Sequence, residues 1–408
     1  MSKARLGTIF AIVFVDLLGF SLILPLVPFY AKEFGASDSV IGLLVASYAA
    51  AQLIGAPILG RISDRFGRRP VLLLSIFGTL IGFILLGIAN SLWMLFASRI
   101  LDGLTGGNIS VAQAYITDIT DEKNRARGLG LIGAAFGLGF IIGPAMGGIL
   151  SSIGANITLG SLNWTFALPA FTAAAVATIN WIAVFIFLPE SLTAERRADI
   201  ARNPNTAFNL GNLRQAFQRP KVGPLLKTRF FFSLAFAIFQ TIFPLYALNR
   251  LDLQANQTAY VLTYVGILVA LVQGVAIGRL SARYQERQLI FFSTALMTLS
   301  LLAWAITPSV IVLLIVLIPL AISGGVLNTV INSALTKVVR VEEIGGILGL
   351  STALESATRV ISPTLGGILL DYLGTWAPGI LGAIITALLT TYVWRRIYRK
   401  TYELPVSA

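Results

Sequence analysis

Twelve apolar runs, most of them about 20 residues or longer and separated by short polar connectors, constrain this chain more than any other feature. A bilayer is crossed by helices or by closed barrels, because every backbone N–H and C=O must be paired away from water, and runs this long exceed a barrel strand. The expected cores are 6–30, 39–60, 71–89, 92–117, 126–151 and 164–188, followed by 224–249, 257–279, 288–307, 309–336, 345–371 and 375–395. Composition agrees: 56% of the 408 residues are hydrophobic and 12% are charged, about half the charged share of a soluble chain. The N-terminal run continues through Asp16 to about Tyr30 with no small-residue cleavage site. It therefore reads as a first transmembrane helix and not as a signal peptide. There is no cysteine and no histidine, which removes disulfide frameworks, thiolate metal sites and histidine-based catalysis. The expected fold class is all-α integral membrane.

The net charge of +12 is carried mainly by connectors on alternate sides of the runs. One side holds Lys3 and Arg5, Arg61 to Arg69, Lys123 to Arg127, Arg196 to Arg229, Arg279 to Arg287, Lys337 and Arg340, and Arg395 to Lys400. The other side holds Lys32 and Arg250, each with acidic neighbours. By the positive-inside rule the rich side, with both termini, is cytoplasmic. A nucleic-acid face would need the same charges gathered on one surface, so no nucleic-acid partner is expected.

The chain is internally duplicated. Gly60-Arg-Ile-Ser-Asp-Arg-Phe-Gly-Arg-Arg-Pro70 recurs as Gly278-Arg-Leu-Ser-Ala-Arg-Tyr-Gln-Glu-Arg-Gln288, and Gly143-Pro-Ala-Met-Gly-Gly-Ile-Leu150 as Ser362-Pro-Thr-Leu-Gly-Gly-Ile-Leu369. Pro25-Leu likewise corresponds to Pro244-Leu. The expected organisation is a six-helix half over 1–188, a linker over 189–222 and a second six-helix half over 223–408. Two halves in parallel register are one plan for a transporter, with the substrate site between them near the midplane.

These motifs resemble those of the major facilitator superfamily, and in particular its drug:proton antiporter group, which includes the tetracycline exporters. Gly60 to Leu72 is similar to the signature between the second and third spans. Arg99-Ile-Leu-Asp-Gly-Leu-Thr-Gly-Gly107 is similar to the fourth-span motif, and Gly133 to Gly148 to the antiporter motif of the fifth. Asp16 to Pro25 resembles the first-span motif, and Pro189-Glu-Ser-Leu192 the end of the sixth. The resemblance implies the twelve-helix major facilitator fold and a latch role for Gly60, Asp64, Arg65, Gly67, Arg68 and Arg69, with Asp64 docking at the start of the eleventh span. Tetracycline exporters usually carry a histidine in the second half and an acid in the ninth span. This chain has no histidine, and Leu289 to Thr307 is uncharged.

Read from the residues, Gly60 and Gly67 permit a sharp turn and Pro70 suits the first turn of a helix. Gly139, Gly143 and Gly147 share one helix face open to close approach, and Pro144 beside them removes a backbone donor; Gly148 extends the motif. The resemblance makes this face a hinge and seal, and plain packing is the other reading. Five charges fall inside spans, Asp16, Arg99, Asp102, Glu355 and Arg359, and these are the candidates for proton coupling or substrate contact. Such groups are costly in lipid and face partners or a wet cavity. Asp16 lies about 15 Å from Leu6 at about 1.5 Å per residue, at a depth similar to that of Arg99, and the two are candidates to pair. Asp102 lies one turn from Arg99, and Glu355 and Arg359 stand four apart on one face. Asn108, Gln113, Gln240, Asn328 and Asn332 are candidate polar cavity residues, and Phe20, Phe236 and Phe239 candidate aromatic walls, because the resemblance places their spans around the cavity.

The expected activity is proton-coupled antiport that exports small amphipathic molecules or drugs by alternating access. Import or facilitation of a small metabolite is the alternative on the same fold. A non-transporting receptor or scaffold is the reading from another class, and no nucleophile–base pair points to an enzyme. The expected partners are a small-molecule substrate and the lipid bilayer. No metal and no cofactor are expected, with the proton gradient as energy source, and the chain is expected as a monomer in the inner (plasma) membrane.

Overall fold

The computed structural model describes residues 3–120, 122–193, 215–340 and 343–399. Much of the expected linker, 194–214, lies outside the described residues, as does the C-terminal end of the chain.

Fourteen helices carry most of the described chain. They are α1 (Lys3–Ile23), α2 (Val27–Glu33), α3 (Asp38–Phe66), α4 (Arg68–Gly87), α5 (Leu92–Thr105), α6 (Asn108–Ile119) and α7 (Glu122–Gly154). After these come α8 (Trp164–Phe187), α9 (Val222–Leu251), α10 (Ala255–Arg283), α11 (Glu286–Ala305), α12 (Val310–Lys337), α13 (Ile344–Leu373) and α14 (Ala377–Val393). No strand occurs among the described residues. Taking α1 with α2 and α5 with α6, they form the twelve expected spans. Ten helices among the described residues are long and apolar enough to cross a membrane. The spans outside that set are the broken α5–α6 and α13, which carries Glu355, Arg359 and Asp371.

Two expected runs are interrupted. The first breaks at Leu24 to Leu26, beside Pro25 and Pro28, whereas α9 runs unbroken through Pro244. The fourth breaks at Gly106 and Gly107, where two glycines remove side-chain support for the helix. Gln52 of α3 donates to the freed Gly106 carbonyl at 2.9 Å, and Ser75 of α4 to that of Thr105. Side chains thus replace the missing helical bonds at membrane depth. In α10, Val272 to Ala276 forms one turn of π-helix.

The described residues divide into two compact units. Unit 1 comprises those of Met1–Ser37, Leu43–Asn205 and Leu253–Tyr264; unit 2 comprises those of Asp38–Gly42, Thr206–Asp252 and Val265–Ala408. Each unit repeats a device. In unit 1 Tyr30 donates its hydroxyl to the Ala89 carbonyl at 2.7 Å; in unit 2 Tyr246 donates to Trp304 at 2.8 Å. Both bonds tie the end of a unit's first span to the end of its third. Unit 1 packs Ile9, Leu17, Leu72, Ile76 and Tyr115 into one buried cluster. Unit 2 packs Phe239, Phe243, Tyr246 and Trp304, with the Phe239 and Trp304 rings 5.0 Å apart. Phe187, Ile311 and Leu388 are 66%, 73% and 68% exposed, as expected of surfaces solvated by lipid chains.

Candidate functional site

The Gly60–Pro70 segment is built differently from its sequence reading in one respect. Gly60 is an ordinary residue of α3, and Gly67 alone makes the turn, with φ 112°. Helix α3 persists through Gly60 because six more residues separate it from the turn. Arg68 begins α4 and is buried, with Nε donating to Asp118 Oδ2 at 3.0 Å and Nη1 to Ser63 Oγ at 2.7 Å and Asp64 Oδ1 at 2.5 Å. Asp64 thus has Arg68 as an ion-pair partner and stays 41% exposed. Arg65 is exposed, and its guanidinium lies over the Phe66 ring. Arg69 Nη2 donates to the Phe185 carbonyl at 2.5 Å.

Two acids that the sequence reading gave no role complete this cluster. Glu190 accepts the Arg68 and Arg69 backbone N–H groups at 2.9 and 3.1 Å, and those of Ser191 and Leu192 at 3.0 Å each. A carboxylate on the first free N–H groups of α4 also meets the positive end of the helix dipole. Ser191 Oγ donates to Asp118 at 3.1 Å, and Tyr115 donates to the Pro189 carbonyl at 3.0 Å. The Pro189–Leu192 motif is therefore the clamp that joins α4, α6 and α8 at one end of unit 1.

The charges inside the spans sort into two groups. In unit 1, Arg99 Nη1 reaches Asp102 Oδ2 at 3.3 Å, with both side chains at most 5% exposed. The expected Asp16–Arg99 pair is not formed, because Asp102 is one helical turn away and holds the guanidinium. Arg99 also lies 5.8 Å from the centre of the Phe83 ring, and its Nε and Nη2 are buried without hydrogen-bond partners. Asp16 is partly buried, with the Asn108 side chain beside it. Both line a small cavity with Ile12, Val13, Leu72 and Ile76. Apolar walls on most sides of a carboxylate leave few groups to stabilise its charge.

In unit 2, Glu355 accepts from Arg359 Nη2 at 2.8 Å, as the spacing of four predicts. It also accepts from Arg229 Nη2, whose other terminal nitrogen donates to Asn328 Oδ1 at 2.6 Å. Arg229 was grouped with the connectors by sequence. It sits instead inside α9, with 4% of its side chain exposed.

The remaining candidates divide between cavity and packing. Phe20 is partly buried and stacks on Tyr48 at 5.0 Å. Gln113 is exposed, whereas Gln240 and Asn332 are partly buried, and Ser351 donates to Asn332 at 3.4 Å. Phe236 is partly buried and packs on Gly324. Phe239 is 1% exposed and belongs to the interior of unit 2, which corrects its reading as a wall.

The glycine face of α7 packs on α1. A Cβ on Gly139 would meet Leu17 Cβ at 3.1 Å, one on Gly143 would meet Ser21 Oγ at 2.0 Å, and one on Gly147 the Leu22 carbonyl oxygen at 2.3 Å. Ser21 donates to the Gly139 carbonyl at 2.7 Å, and α7 runs unbroken through Pro144. Gly148 lies against Tyr260 within the same unit. Close packing inside unit 1 is thus what this face does here.

Comparison with known proteins gives the same architecture. The sequence pattern of the Major Facilitator Superfamily matches residues 9–318 and 229–407. The chain is 32% identical to the class H tetracycline resistance protein of Pasteurella multocida over 396 residues, covering 95% of this chain and 96% of that protein. It is 29% identical to solute carrier family 22 member 18 of Rattus norvegicus, covering 91% and 89%. Its fold matches the crystal structure of the human organic anion transporter MFSD10 (TETRAN) with a TM-score of 0.67 at 22% identity, covering 96% and 99%. Twelve spans, the duplicated connector and this family match together identify the chain as a multi-pass membrane transporter of the major facilitator superfamily.

Proposed function

We propose that this transporter is a proton-coupled antiporter that exports small amphipathic molecules by alternating access. The observation that carries the reading is Asp16, an acid in mid-span beside Asn108 and a small apolar-walled cavity, with Arg99 turned to Asp102. Arg99 keeps two buried nitrogens without partners, so an arrangement in which Asp16 joins it satisfies more of its donors. A carboxylate whose surroundings switch between two states can load a proton in one and release it in the other. The named relatives include tetracycline resistance proteins, which favours export of drug-like compounds over uptake of a metabolite. In this reading both termini are cytoplasmic, the membrane is the inner membrane, the chain acts as a monomer and the proton gradient is the energy source.

The test is flux in proteoliposomes under an imposed pH gradient, with a trapped pH indicator reporting substrate-dependent proton movement across a panel of amphipathic drugs. Drug and proton fluxes in opposite directions, both abolished by Asp16→Asn, are expected. Gradient-driven flux that survives Asp16→Asn unchanged removes Asp16 as the coupling acid. Counterflow of a metabolite without proton movement would instead establish the import reading.

A further inference from the structure

Unit 2 holds a charged cluster within the spans that is not neutral. Arg229 is seven residues into α9 and Glu355 eleven residues into α13, about 10 and 16 Å along their helices at about 1.5 Å per residue. The cluster contains two arginines and one glutamate, so one positive charge is in excess. Asn328, the other described partner, is neutral. An excess cation at this depth is costly unless an anion or water meets it.

Its geometry shows where an anion would enter. Arg229 is the floor, held by Glu355 and Asn328 and backed at 5.9 Å by the Phe232 ring. Its Nε is buried and has no hydrogen-bond partner among the described residues. A guanidinium offers five donors in a fixed plane, and a buried donor without an acceptor is destabilising. Glu355 and Arg359 form the open rim, with 29% and 46% of their side chains exposed. A guanidinium this exposed within a span faces water and not hydrocarbon.

We infer that Arg229, Glu355 and Arg359 form an anion-binding subsite, which receives the carboxylate, sulfonate or phosphate group of an amphipathic substrate. Glu355 occupies the arginines when the subsite is empty, and Arg359, the exposed partner, turns from it to the incoming oxygens. The planar fork of each arginine suits a two-oxygen acceptor. The inference names the substrate class of the transporter proposed above and rests on that reading for the substrate's path. The subsite itself requires only binding.

Equilibrium binding to the full chain in phosphatidylcholine nanodiscs, with no gradient, tests it. The probes are fluorescein and rhodamine 6G, which share a xanthene core and carry opposite charge, followed by fluorescence polarisation. Fluorescein is expected to bind at least about tenfold more tightly than rhodamine 6G, and Arg359→Gln to weaken fluorescein about tenfold or more, as loss of one charge-assisted hydrogen bond implies. Arg359→Lys should recover part of that loss. Glu355→Gln should tighten fluorescein, because it removes the competing carboxylate, whereas a purely structural cluster would bind less well after the same change. Preference for rhodamine 6G, no binding of either dye, indifference to Arg359→Gln, or weakening by Glu355→Gln each overturns the proposal. Repeating the titration with phosphatidylglycerol in the nanodisc separates substrate from lipid: displacement of the dye assigns the subsite to a headgroup and overturns the substrate reading. Failure here with proton-coupled flux intact, or the reverse, separates this inference from the exporter reading.

Discussion

Arg68 and Asp118 form a buried ion pair, Nε to Oδ2 at 3.0 Å, with both side chains 6% exposed. It joins the start of the third span of unit 1 to the end of the fourth. Displaced by 218 and 219 residues, unit 2 has Glu286 and Lys337 at 2.8 Å in the same place with the charges exchanged. The duplication has kept the link and reversed its polarity.

The two pairs should differ in weight. Removing one partner of a buried pair costs about 3–5 kcal/mol, so Asp118→Ala should lower unfolding stability by about 3 kcal/mol or more. Lys337 is 58% exposed, so Lys337→Ala should cost at most about 1 kcal/mol. Exchanging the second pair, Glu286→Lys with Lys337→Glu, should stay within about 1 kcal/mol of the parent. Thermal and denaturant unfolding in detergent would measure all three. Equal losses from Asp118→Ala and Lys337→Ala would contradict the assignment.

The turn residues should differ as well. Gly67 has φ 112°, where a Cβ is strained, and Gly67→Ala should cost about 1–3 kcal/mol. Gln285 occupies the matching place with φ −71° and forms a capping box with Gln288. Gln285→Ala should cost only about 1 kcal/mol, the usual value of a lost cap. A tolerated Gly67→Ala in the same unfolding assay would show that the turn relaxes without glycine.

Along α7, space decides which glycines matter. Gly143→Ala drives a methyl into Ser21 and Leu22 and should destabilise by about 1–3 kcal/mol, as overpacking does. Gly137 has nothing within 4 Å of an added Cβ, so Gly137→Ala should be neutral or stabilise by up to about 1 kcal/mol. A reversed order of the two melting temperatures would remove the close-packing account.

One surface contact carries a defined pH dependence. Arg219 donates to Glu343 at 2.8 Å and, chiefly through that bond, holds its carboxyl below the ordinary 4.5. A depressed folded-state value means that the contribution is present above 4.5 and lost as pH falls through the lower folded value. Glu343→Gln should therefore lower stability slightly at neutral pH, where the contribution is present, and flatten the acid slope so that the difference from the parent closes as pH falls. A difference between Glu343→Gln and the parent that persisted undiminished below the folded-state value would contradict the assignment.

What sequence reveals here follows from what lipid forbids. Asp16, Arg99, Asp102, Glu355 and Arg359 stand out because charges deep in apolar runs have few explanations. Arg229 escaped because it lies near the start of its run, where an arginine looks like a topology signal. Asp118 and Glu190 escaped for the same reason at the other ends of spans. The Arg99–Asp102 preference over Asp16 is decided by which neighbour the guanidinium reaches first, a matter of local helix geometry. Phe239 was misplaced because an aromatic at helical spacing looks the same facing a cavity or packed on Trp304. Gly106 and Gly107 were visible, but whether a double glycine breaks a helix depends on acceptors and donors nearby. Here those come from Gln52 and Ser75, far away in sequence.

That break bears on how the protein enters the membrane. Helices α5 and α6 have 14 and 12 residues, each shorter than the roughly 20 needed to cross hydrocarbon, and α5 also carries Arg99 and Asp102. As it emerges from the ribosome, this segment is a poor candidate to partition into lipid unaided. Its freed carbonyls at Thr105 and Gly106 are satisfied only once Ser75 of α4 and Gln52 of α3 stand beside it. The fourth span should therefore be a dependent passenger of the second and third, retained at the insertion machinery until they arrive. A chain with Gln52 and Ser75 replaced would then fail in biogenesis, before any question of transport arises.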